Sequence, residues 1–128
     1  MLKLIYTENS LLMEVITQSL EDWVQMRVIL ALRVADTINL EPTTASFLLP
    51  KNLTNLSLLQ AEVQGLYSHL IGLDAVDNDY VEVSLDGTWI SGENEDEGVF
   101  VTSLPWALEL FLLQLWSDSL TVNNHQYI

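Results

Sequence analysis

Twelve residues, Pro105 to Trp116 (PWALELFLLQLW), constrain this fold more than any others, because they combine helical length with two tryptophans and only two polar side chains. A helix that is apolar on nearly every side must be buried in its own domain, in a partner or in lipid. At 1.5 Å per residue it spans about 18 Å, well short of the roughly 30 Å of a bilayer core. The expected place is the protein's own core. On a helical wheel Gln114, Ser117 and Asp118 mark a polar edge, whereas Glu109 stands in the middle of the apolar arc.

The rest of the composition fits a folded, strongly negative protein. In 128 residues there are 18 Asp and Glu against four Lys and Arg, a net charge of -14 that repels nucleic acid and anionic lipid alike. Hydrophobic residues make up 49% of the chain, enough apolar surface to fold despite that charge. One domain over 1–128 is the expectation, with 119–128 read as a polar C-terminal tail. The absence of cysteine excludes disulfides and thiolate chemistry. The opening MLKLIYTENS carries too short an apolar run for a secretory signal, so a cytoplasmic setting is expected.

Periodicity assigns the elements. Leu2, Leu4 and Tyr6 alternate as a first strand, and Thr7-Glu8-Asn9-Ser10 reads as a cap opening a helix with Leu12, Val15, Ile16, Ser19 and Leu20 on one face. From Trp23 to Val34 six apolar residues alternate, which predicts a long strand, and Ala35-Asp36-Thr37 reads as a turn. Residues 38–49 read as extended chain, with Pro42 arguing against a central strand. Leu56, Leu59 and Val63 share a helical face that Gly65 ends or weakens, and the segment from His69 to Val76 reads as a strand. Val81, Val83 and Leu85 alternate up to Asp86-Gly87, the residue pair preferred in a two-residue hairpin turn, with Thr88 to Ser91 as the return strand. Val99 to Thr102 form another strand before Pro105 opens the last helix. The sum is an α+β domain, a mainly antiparallel sheet packed against three helices in a single layer.

Four stretches, LKLIYTENS, RVILALRVADTINLEPTTASFLLP, VEVSLDGTWISGENEDEGVFVT and ELFLLQLW, resemble an uncharacterised family of small acidic cyanobacterial proteins. They cover about half the chain, and the likeness is weakest between Lys51 and Tyr80. The resemblance implies a cyanobacterial cytoplasmic protein and supplies no catalytic or ligand-binding position.

Candidate chemistry is sparse. A carboxylate in an apolar arc is costly to bury alone, and Arg27 and Arg33 are the natural partners for Glu109. The loop bearing Glu93, Glu95, Asp96 and Glu97 offers oxygens to Ca²⁺ but lacks EF-hand spacing, and a solvated loop is the favoured reading. Asp77-Asn78-Asp79 with Glu82 lacks that spacing too, and reads as a turn. His69 and His125 stand apart, and no nucleophile-elbow or phosphate-loop motif occurs. No catalytic residue, cofactor or metal site is assigned. Trp89, out of phase with Val81 and Val83 if Asp86-Gly87 is a turn, is the first candidate for a partner contact. These residues favour a non-catalytic interaction module, homodimeric because a symmetric pair covers excess apolar surface. The rival is a small-ligand protein or enzyme with a pocket between the sheet and the last helix.

Overall fold

The computed structural model describes residues 1–8, 10–33, 38–64, 69–92 and 98–126. Among the described residues, six strands and three helices follow the order β1 (Leu2–Tyr6), β2 (Leu11–Val15), α1 (Leu20–Arg33), β3 (Ile38–Pro50), α2 (Leu56–Glu62), β4 (Ile71–Ala75), β5 (Tyr80–Gly92), β6 (Gly98–Thr102) and α3 (Trp106–Gln126). The strands form one sheet in the order β2-β1-β6-β5-β3, with β4 also on β5, and every pairing is antiparallel. The α+β class, the antiparallel sheet and the three helices are as the sequence predicts.

Two assignments near the N-terminus exchange places. Thr7 and Ser10 close a β1–β2 hairpin, Thr7 N–H donating to Ser10 O at 2.9 Å with the two hydroxyls 2.6 Å apart. The capping hydroxyl is instead Ser19, whose Oγ accepts the Asp22 N–H at 3.2 Å, with Glu21 and Asp22 favourably placed in the first turn of α1. The residues predicted as a long strand are therefore helical from Trp23 to Arg33, and Val34 lies outside the described residues. Their alternation is genuine, but Trp23, Ile29 and Ala31 fill the intervening positions, so the segment is apolar on several faces and satisfies both periods.

The Asp86-Gly87 hairpin is absent as well. β5 runs unbroken through it, paired along its whole length with β3 from Ile38↔Gly92 to Pro50↔Tyr80. On its other side β5 pairs with β4 up to Leu85 and with β6 from Thr88. Asp86 sits at this change of partner, its N–H donating to Leu70 O (3.2 Å), its carbonyl accepting from Thr102 Oγ1 (2.8 Å) and its carboxylate accepting from Thr44 Oγ1 (3.1 Å). Gly87 is small for a different reason than a turn: a methyl there would collide with Val101 O and stand 2.6 Å from the Phe100 ring. Pro42 is accommodated because β3 lies at the sheet edge.

The helices divide between both faces of the sheet, so the single-layer expectation is corrected. Leu2, Leu4, Phe47, Val83, Leu85 and Phe100 point to the face covered by α2 and α3, where Leu56, Leu59, Leu108, Leu112 and Leu115 meet them. The opposite parity carries Ile90, Val99 and Val101, which pack with Met1 and with Trp23 of α1. Curvature is strong enough for Tyr6 Oη to donate to Ser46 O at 2.9 Å, although β6 and β5 intervene between β1 and β3. At the C-terminus α3 continues beyond Asp118 to Gln126 where a tail was predicted, with Ser119 buried and its hydroxyl donating to Trp116 O at 2.6 Å. An established helix extends at the cost of one residue's freedom per hydrogen bond, which a polar composition does not forbid. The positions read as a turn at 35–37 and as a helix end at Gly65 lie outside the described residues.

Candidate functional site

Glu109 is buried, only 1% exposed, as its place in the apolar arc of α3 requires. Its partner is neither arginine. Oε1 lies 3.0 Å from the Met1 α-ammonium, itself fully buried, and Oε2 accepts the Leu104 N–H at 3.0 Å. The ammonium also donates to Ile16 O at 2.9 Å. Two charges are thus removed from water together with three hydrogen bonds, the condition under which a buried pair is tolerated. The arrangement ties the start of β1 and the end of β2 to the first turn of α3. Both charged groups are closed to solvent.

The arginines lie on α1, against the other face of the sheet. Arg27 places its guanidinium 5.1 Å from the Trp23 ring centroid, and Lys3 places its ammonium 5.3 Å from the same ring. Trp23 is the buried anchor of α1, and two of the chain's four basic residues lie over it. Lys3 also approaches Glu14 at 4.0 Å. Leu20, Trp23, Val24, Arg27 and Ala31 form the inward stripe of this helix. Its outward side is unusual for a helix of an acidic protein. Met26, Val28, Ile29 and Leu30 are all exposed, Met26 and Leu30 by about half. Arg33 is exposed at the end of the same helix.

Because β5 is continuous, Trp89 shares the parity of Val81, Val83 and Leu85 and faces the α2 and α3 side, in register with Glu41 and Phe100. It is half-buried, its ring lying over Gly98 and 5.9 Å from the Tyr6 ring. Burial pushes the Tyr6 phenol above its ordinary value of 10.0. Tyr6, Glu41, Thr43, Ser46 and Trp89 line an open groove of about 510 Å³. A second cleft, about 370 Å³ and mainly apolar, lies between α2 and α3 and is lined by Leu58, Ala61, Glu62, Pro105, Leu108 and Phe111. The space between the sheet and α3 is filled by side chains, among them Phe100, Leu112 and Leu115, each at most 1% exposed.

The acidic residues Glu93, Glu95, Asp96 and Glu97 lie outside the described residues. Asp77 forms the predicted turn, its carboxylate accepting the N–H groups of Asp79 (2.7 Å) and Tyr80 (2.9 Å). Among the described residues no group of three or more His, Asp or Glu is placed to hold a metal ion, and no helix is long and apolar enough to cross a membrane. His69 is exposed.

These features define a small α+β protein with an internal charged centre and an apolar helix on its surface. The chain belongs to the Alr0857-like family, whose model matches residues 1–120. That match agrees with the resemblance to an uncharacterised family. No curated protein and no solved structure matches the chain.

Proposed function

We propose that this protein is a non-catalytic interaction module that binds protein through α1 and the sheet face beside it. One observation carries the reading. Of the twelve exposed large hydrophobic residues among the described residues, Met26, Val28, Ile29 and Leu30 are on α1, and Leu12, Leu40 and Leu48 are on the face that α1 only partly covers. Seven of twelve on one side is the concentration expected of a contact surface, whereas scattered single residues would need no explanation. The high negative charge elsewhere keeps the rest of the surface soluble and repels unsuited partners. A pocket-based function has weaker support, since the cleft between α2 and α3 is mainly apolar, the groove beside Tyr6 and Trp89 is open, and the sheet–α3 space is packed.

The test is photo-crosslinking of the full chain in an extract of the cells that make it, with a photoreactive phenylalanine analogue at Ile29 or at exposed Leu58 on α2. Adducts specific to position 29, lost on Met26→Glu, are expected. Equal yields at both positions, or none at 29, would reject the α1 surface.

A further inference from the structure

The outward side of α1 identifies one kind of partner. Asp22, Met26, Ile29 and Arg33 follow one another at spacings of four, three and four residues, which places them on a single face of a 3.6-residue helix. That face is turned about 150° from the inward stripe centred on Leu20, Arg27 and Ala31. The spacing reads the same in both directions. An antiparallel copy of the helix, related by a twofold axis passing between Arg27 and Val28, brings Asp22 opposite Arg33, Met26 opposite Ile29, and the same contacts again in reverse. Parallel pairing would instead oppose Asp22 to Asp22 and Arg33 to Arg33.

We propose that α1 is a self-association surface, pairing antiparallel with α1 of a second copy of this chain through Asp22, Met26, Ile29 and Arg33. The inference rests on the reading of α1 as a protein-binding face and names the occupant. Two further observations select a second copy. Each copy carries a net charge of -14, so two copies repel almost everywhere they could touch. α1 is the exception, because Glu21 and Asp22 are balanced by Arg27 and Arg33 within the same fourteen residues. The helix is thus an electrically neutral, apolar strip on an acidic molecule, with opposite charges at its ends. An isologous contact needs a patch complementary to itself, and this strip meets that condition. Leu30 beside the stripe and exposed Leu40 on β3, cross-strand to the buried Ile90 that packs beneath α1, extend the apolar area. A single helix pair is small beside the roughly 1,000 Å² of a stable interface, so the association is weak, with a dissociation constant on the order of tens of micromolar.

Sedimentation equilibrium of the full chain, from about 5 to 500 µM at near-physiological salt, tests the proposal. The mass is expected to rise from 14.5 kDa toward twice that value. Asp22→Arg and Arg33→Asp are each expected to weaken association about tenfold or more, since every reversal sets like charges together at both ends of the pair. The double variant Asp22→Arg/Arg33→Asp restores opposite charges across the axis and is expected to return to within about threefold of the parent. Failure of the double variant to recover, or a monomer throughout the range, overturns the proposal. Circular dichroism verifies folding, and if arginine in the first turn unfolds the helix, Ile29→Glu in the middle of the stripe is expected to abolish self-association with the fold intact. A strictly monomeric chain that still gives position-29 adducts with another protein rejects the second copy and leaves the interaction reading standing. A monomer without adducts rejects both.

Discussion

Replacing Glu109 with glutamine removes one charge from the buried centre while preserving side-chain shape and the acceptor for Leu104 N–H. The Met1 amino group, fully buried 3.0 Å from Oε1, then loses its counterion. Breaking a buried pair by neutralising one partner costs about 3–5 kcal/mol, against about 1 kcal/mol or less for an exposed pair. A domain of this size has roughly 5–15 kcal/mol of total stability, so the loss is a large fraction of it. With a urea slope of about 2 kcal/mol per molar, the unfolding midpoint falls by about 1.5–2.5 M. Conversion of the Met1 α-ammonium to an amide by a short N-terminal extension deprives Glu109 of the same counterion and is expected to cost a similar amount. Combined with Glu109→Gln, the extension should add much less than its separate cost, because both changes remove one interaction. A midpoint shift of less than about 0.5 M for Glu109→Gln, the equivalent of a surface pair at that slope, would refute the reasoning.

Three other outcomes follow from the packing. Gly87→Ala is expected to cost about 2–3 kcal/mol by urea denaturation, since the new methyl meets the Val101 carbonyl and the Phe100 ring in a filled core; a loss under about 0.5 kcal/mol would show that there is room. Ser19→Ala removes the hydroxyl that accepts Asp22 N–H and is expected to cost about 1 kcal/mol, with helix content by circular dichroism reporting fraying of α1. Tyr6 has a folded-state value raised by burial, so the stability it contributes is complete below the unfolded value near 10.0 and is lost as pH rises through the folded value. Tyr6→Phe is expected to flatten part of the alkaline fall in melting temperature, and an unchanged alkaline profile would contradict the assignment.

Local signals identified most of the elements, and misled where one residue pattern satisfied two structures. Glu109 is the clearest local signal: the wheel alone placed a carboxylate in an apolar arc, and that carboxylate is buried although Pro105 and Trp106 of the arc are exposed. Its counterion escaped sequence reading because a chain terminus is not a residue type, and the arginines drew attention instead. Thr7-Glu8-Asn9-Ser10 and Ser19-Leu20-Glu21-Asp22 both offer helix-capping hydroxyls. The second also places an acid three residues after the hydroxyl, the fuller capping pattern, and weighing it would have moved the helix to its observed start. Asp86-Gly87 carried a strong turn preference, but tertiary pairing along thirteen residues of β3 overrode it. That error also displaced Trp89, whose assigned face followed from the imagined turn and not from the strand. The outward stripe of α1 was invisible while the segment was read as a strand. Asp22, Met26, Ile29 and Arg33 share a face only on a helix.

The most direct measurement of the self-association surface is isotope-filtered NMR on a mixture of labelled and unlabelled chains, well above the dissociation constant. Antiparallel pairing of α1 predicts intermolecular cross-peaks between the Met26 methyl of one copy and the Ile29 methyls of the other. Intermolecular cross-peaks confined to the Tyr6 and Trp89 groove, or none from α1, would contradict it.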